Sequence, residues 1–165
     1  MPVMRLLLMS FIIPLYAITS LDTGECIDRV KGKWRMELID TSLYTVIRDE
    51  EKINLLAPGS RPATLSATEI NKIDVLLRKA VSDYNRNPEN SDLKIDSFHT
   101  YKRQLVTYVN PSGDKIVWIN CCCYTWGQDW KKIIIEVSDG GSCYFNLTIN
   151  LTGKQVSTLR VNGLG

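Results

Sequence analysis

The hydrophobic period of this chain changes once, and that change limits the folds open to it. Between residues 66 and 85, apolar side chains return every three or four positions as Ile70, Ile73, Leu77, Ala80, Val81 and Tyr84. Such spacing lays a core-facing stripe along a helix and leaves Asn71, Lys72, Asp74, Arg78, Lys79 and Asp83 for its other faces. Ser66-Ala-Thr-Glu69 is a capping box, in which hydroxyl and carboxylate satisfy each other's backbone N–H groups, and Pro88 stops the helix.

Beyond Leu93 the period falls to two. Strands are predicted over 101–109, 115–123, 131–137, 143–151 and 155–161, joined by turns rich in Asn, Pro, Ser, Gly and Asp. Connections this short favour an antiparallel meander, because parallel neighbours need a longer crossover. Alternation is clearest where Cys143, Phe145, Leu147, Ile149 and Leu151 take one face, which should meet the helix, and Tyr144, Asn146, Thr148 and Asn150 take the other. The expected fold is α+β, one long helix packed on a curled antiparallel sheet of four to five strands.

Upstream, signals are weaker. Residues 34–39 and 43–47 read as short strands, with a helical reading nearly as good, and Ala57-Pro-Gly-Ser-Arg-Pro62 reads as a turn or surface connection. The first residues place Arg5 before an apolar run over 6–13, then Pro14 and the small residues Ala17 and Ser20. This is the order of a secretory leader over 1–19, too short to span a bilayer, so an exported chain, periplasmic or extracellular, without an integral membrane segment is expected. The mature chain then divides into a mixed stretch, 20–62, packing on a helix-and-sheet domain, 63–165.

Twenty basic and eighteen acidic side chains, scattered along the chain, supply no massed positive field, so nucleic acid is not an expected partner. Export permits disulfides, and the chain has five cysteines: Cys26, Cys121, Cys122, Cys123 and Cys143. An odd number leaves at least one outside any intramolecular pair. A bridge from Cys26 to the 121–123 cluster, with Cys121 favoured, would tether the irregular N-terminal stretch. Cys143 looks awkward as a partner while a predicted strand separates it from Cys121.

One helix followed by a meander resembles the cystatin-like and NTF2-like fold classes in outline. The resemblance carries no activity: the Gln-Val-Val-Ala-Gly loop of cystatins is absent, and Gln104-Leu-Val-Thr-Tyr108 only approximates it. Tyr101-Lys-Arg-Gln, Lys115-Ile-Val-Trp-Ile-Asn-Cys121 and Asp139-Gly-Gly-Ser-Cys-Tyr-Phe-Asn146 are similar to stretches of uncharacterised secreted proteins of the Bacteroidetes, over about residues 95–165. That similarity implies neither activity nor site residues.

Reactive chemistry has few candidates. His99, the sole histidine, could serve as base to Cys121 or Cys123, with Asp96 orienting it, but no spacing requires them to meet. Cys121, Cys123, Cys143 and His99 have zinc-ligand chemistry without the usual paired Cys-x-x-Cys hooks, and adjacent cysteines on a strand point to opposite faces. No cofactor is expected. Asn146-Leu-Thr148 and Asn150-Leu-Thr152 are formal sequons that polar sheet patterning explains equally well. Trp118, Tyr124, Trp126 and Trp130 cluster in sequence around the cysteine-bearing strand and are the candidate ligand-binding residues, for a protein or a small molecule. The expected function is a secreted, noncatalytic recognition or structural domain. The alternative is a small enzyme, thiol-dependent in one version, with a cavity between helix and sheet.

Overall fold

The computed structural model describes residues 41–164. The leader, the strand expected over 34–39, Cys26 and the rest of 20–40 lie outside the described residues. In chain order the elements are β1 (Tyr44–Val46), α1 (Glu50–Leu56), β2 (Arg61–Pro62), α2 (Ala67–Arg86), β3 (Lys102–Val109), β4 (Lys115–Cys122), β5 (Tyr144–Asn150), β6 (Gln155–Val156) and β7 (Arg160–Val161).

Helix α2 forms where the apolar stripe lies. Its capping box is complete: the Ser66 hydroxyl accepts from Glu69 N at 3.2 Å, and Ser66 N donates to the Glu69 carboxylate at 2.8 Å. Ile73, Leu77 and Val81 are buried against Leu105, Val117, Ile119, Cys121, Phe145, Leu147 and Ile149 of the sheet. Phe145, Leu147, Ile149 and Leu151 thus face the helix as their alternation requires, whereas Cys143, expected on the same face, lies in the turn before β5 and packs with Cys122, Ile135 and Tyr144. Large side chains fully removed from water in this way each contribute about 1.5–3 kcal/mol of transfer free energy.

The curled meander is corrected. One seven-stranded sheet runs in the order β1-β3-β4-β5-β6, with β2 on β3 and β7 on β5, and it is neither curled nor closed. β1 pairs with β3 in parallel, Tyr44 opposite Arg103, which no meander contains. Its return to β3 passes through α1, β2 and α2, the long crossover that a parallel pair requires. The cystatin-like and NTF2-like outlines fall with the curled sheet, and residues 104–108 lie inside the central strand β3 rather than in a loop. β3, β4 and β5 form the antiparallel centre, and two short strands cover the outer edge on each side. Short edge strands leave few unpaired backbone groups for a second chain to recruit.

A second correction explains the order. Residues 131–137 form no strand. Their segment crosses the face of the sheet opposite α2, where Ile135 is buried with Cys122 and Tyr144. On the same face, α1 covers Val106, Tyr108, Ile116 and Trp118 with Ile53. β5 is therefore the direct neighbour of β4, with Cys122 opposite Tyr144.

Candidate functional site

That register brings Cys123 beside Cys143. Cys123 N donates to Cys143 O at 2.9 Å, and the two side chains form a disulfide with Cα atoms 5.0 Å apart. The expected bond from Cys26 to Cys121 is corrected: Cys121 and Cys122 are free, buried thiols, and Cys123 is taken by Cys143. The objection to Cys143 disappears with the intervening strand on which it rested.

The disulfide closes the stem of a long loop, 124–142, whose span is fastened by side chains rather than by a ladder. Gln104, fully buried on β3, donates through Nε2 to Trp130 O at 2.6 Å and Ile133 O at 2.7 Å. Its Oε1 accepts from Ile135 N at 2.8 Å and from Asn120 Nδ2 at 3.0 Å, and Asn120 Nδ2 also donates to Ile135 O at 2.7 Å. Two side-chain amides thus satisfy backbone groups that would be left unpaired under the loop, an omission costing about 1–3 kcal/mol each. Further ties run from Thr45 Oγ1 to Lys131 O at 3.2 Å, from Lys52 Nζ to Glu136 at 2.6 Å and from Asn162 to Val137 O and Asp139 O. At the stem, Gly140 has φ +87°, and a Cβ there would lie 2.7 Å from the Tyr144 ring, so this turn requires glycine.

The four aromatic candidates do not share one surface. Trp118 is buried on β4 beneath α1, with Lys52 Nζ 4.6 Å from its ring. Trp130 is half-buried against Cys122, Ile135 and Tyr144. Tyr124 and Trp126 project from the loop, 56% and 62% exposed, their rings edge-to-face at a centroid distance of 5.1 Å. Trp126 holds φ +52° and precedes Gly127 at φ +71°. A left-handed backbone at a bulky residue costs about 1–2 kcal/mol and persists only where surroundings enforce it. Burial raises the Tyr144 phenol above its ordinary range, and a hydrogen bond from the Trp126 side chain opposes that rise.

The thiol candidates are separated by burial. Cys121 is fully buried beneath α2, and desolvation drives its thiol far above the usual range despite the opposing charge of Arg103. Cys122 is pushed up by burial to about 11. A buried, protonated thiol is a poor nucleophile. His99 is exposed on the short turn Phe98–Thr100, so the structure does not assemble it with Cys121 as nucleophile and base. Among the described residues no group of three His, Cys, Asp or Glu side chains could hold a metal ion. A groove of about 480 Å³ between α2 and the β6–β7 edge is lined by Leu76, Ala80, Tyr84, Lys154 and Leu159 among others, and neither His99 nor a cysteine reaches it. Of the sequons, Asn150 is occupied in a turn, donating to Asp114 at 3.0 Å and accepting from Gly153 N at 2.7 Å. No described helix is long and apolar enough to cross a membrane.

Sequence reasoning missed a buried cation. Arg103, 2% exposed, lies opposite Cys121 with its guanidinium 4.9 Å from the Tyr44 ring and 4.4 Å from the Phe98 ring, donating to Phe98 O at 2.9 Å. Tyr44 donates to the buried Asp74 of α2, which also accepts from Arg78 at 2.6 Å. This network pins β1 to α2. The Gln104–Asn120 clamp was missed as well, since both residues lie on strands whose two faces are covered and whose polarity therefore gives no alternation to read. Comparison with family models, with characterised proteins and with solved structures finds no match to this chain.

Proposed function

We propose that this chain is an exported, noncatalytic recognition domain that binds its partner through Tyr124 and Trp126 on the 124–142 loop. One observation carries the reading: an exposed aromatic pair stands on a loop fixed by a disulfide at its stem and by two buried amides along its span. Leaving two large rings in water offers folding nothing. A fixed conformation does serve binding, because ordering costs of about 0.5–1.5 kcal/mol per side chain have already been met in the free protein. Export is supported by the apolar N-terminal run of the sequence and by the disulfide, which is at home in an oxidising compartment.

The test is a screen of immobilised extracellular proteins and glycans with the parent chain and the Tyr124→Ala/Trp126→Ala double variant, their melting temperatures compared in parallel. Aromatic anchors at binding surfaces are worth about 2 kcal/mol or more, so the partner's signal should fall at least about thirtyfold in the variant while the fold is kept. If every partner found by the parent chain bound the variant equally, the aromatic pair would not be the recognition surface.

A further inference from the structure

The far end of the 124–142 loop hangs on one side-chain amide. Asn162, which follows β7, donates through Nδ2 to Val137 O and to Asp139 O, the latter at 3.2 Å. Around it, Asn162 N donates to Tyr144 O at 2.9 Å and Gly163 O accepts from Gly141 N at 2.9 Å, so residues 162 and 163 together fasten this end of the loop. Asn162 is the sole asparagine of the chain that precedes a glycine. Glycine has no Cβ to keep its backbone nitrogen from the side-chain carbonyl of the residue before it. Gly163 is exposed, a Cβ on it would meet nothing within 4 Å, and its N–H donates to no acceptor among the described residues. The clamp on Nδ2 opposes the approach only while it is closed. β7 is two residues long and Gly163 and Leu164 beyond it are exposed, which places Asn162 among the parts of a fold that open locally.

We propose that Asn162 is a site of spontaneous deamidation, and that its conversion to aspartate or isoaspartate unfastens this end of the loop. Gly163 N attacks Asn162 Cγ: the N–Cγ bond forms, the Cγ–Nδ2 bond breaks, and Nδ2 leaves as ammonia with the proton that Gly163 N gives up. Water then opens the five-membered imide, at Cγ to give aspartate or at the backbone carbonyl to give isoaspartate, and no oxidant or enzyme takes part. An amide has two N–H donors, whereas a carboxylate only accepts. Val137 O and Asp139 O thus lose their donor and meet an anion instead. In the isoaspartate form the backbone also runs through Cγ, one carbon longer, which takes Gly163 O out of register with Gly141 N. The bonds lost belong to residues 137, 139 and 141, near Cys143, whereas the Gln104 and Asn120 amides hold 130–135 as before. The reaction needs no partner and is independent of the recognition reading above.

Ageing the full chain in mildly alkaline buffer at physiological temperature, followed by peptide mass mapping and enzymatic labelling of isoaspartate, tests this. A gain of one mass unit is expected at Asn162 ahead of every other asparagine, with isoaspartate present, while far-ultraviolet circular dichroism stays that of the fresh protein. Gly163→Ala, which the open space around Gly163 admits, should slow the gain at least about tenfold. In Asn162→Asp, and in aged chain separated from fresh, hydrogen exchange at the Gly141 amide should accelerate at least about tenfold while the Ile135 amide keeps its rate. If Asn162→Asp does not fold, the aged chain alone decides. No gain at Asn162, an earlier gain at another asparagine, or an equal rate in Gly163→Ala would overturn the modification site. Unchanged exchange at Gly141 in the deamidated chain would overturn the unfastening of the loop.

Discussion

Arg103 places a permanent charge under α2, where its aliphatic stem fills core volume and its head is held by two aromatic rings and the Phe98 carbonyl. Its Nε meets no hydrogen-bond acceptor, so this site is stabilised by packing and cation–π attraction more than by polar satisfaction. Arg103→Ala should therefore cost about 3–5 kcal/mol in urea denaturation, as for other large buried side chains, while Arg103→Met, which keeps volume and drops the charge, should cost about 1 kcal/mol. Equal losses would show that the charge, not the volume, is what the site needs. The sequence hides this residue for a physical reason. An arginine in an alternating strand reads as a solvent-facing position, and only β1 and α2, both distant along the chain, together with the neighbouring Phe98 turn, make that face interior.

Elements were legible where one side of a segment faces water. α2 shows its stripe and its capping box because its outer face is polar, and β5 alternates because its outer face is only half covered. Residues 131–137 misled because three isoleucines in succession satisfy strand propensity, while the decisive partners, the Gln104 and Asn120 amides, come from elsewhere in the chain. Of the four aromatic candidates, the sequence shows their place around the cysteine-bearing strand, but that Trp118 and Trp130 turn inward while Tyr124 and Trp126 stay exposed, and that a clamp holds the loop at Trp130, Ile133 and Ile135, needed the fold. At the start of α2, Glu69 accepts from Lys115 at 2.6 Å as well as from Ser66, tying the helix to the β3–β4 hairpin. Those bonds lower its carboxyl from 4.5 to about 2. A carboxyl lowered in the folded state binds its proton more readily in the unfolded chain, so its contribution is complete above pH 4.5 and is lost as pH falls toward 2. The difference in stability between the parent chain and Glu69→Gln should accordingly shrink through that window, as followed by urea midpoints at each pH. A difference that stayed constant down to pH 2 would mean the carboxylate does not make these bonds.

At the scale of the whole molecule, the sheet is covered by α2 on one face and by α1 with the 124–142 loop on the other, and among the described residues only this loop carries large aromatic side chains that are exposed. The disulfide, joining residues 20 apart, should supply about 3 kcal/mol by restricting the unfolded chain. Cys123→Ser/Cys143→Ser should lower stability by that order while α2 and the central strands persist, and nonreducing peptide mapping of the parent chain should recover Cys121 and Cys122 as thiols. A map joining Cys121 or Cys122 to another cysteine would contradict the pairing. The central claim is that the loop is held in one conformation before any partner arrives, and hydrogen exchange at the Ile135 amide, which donates to Gln104 Oε1, tests it most directly. The account predicts slow exchange in the free parent chain, accelerated at least about tenfold in Gln104→Leu with α2 amides unchanged, since removing the buried acceptor forfeits about 1–3 kcal/mol of local stability. Fast exchange at Ile135 in the parent chain, equal to that of the variant, would contradict it.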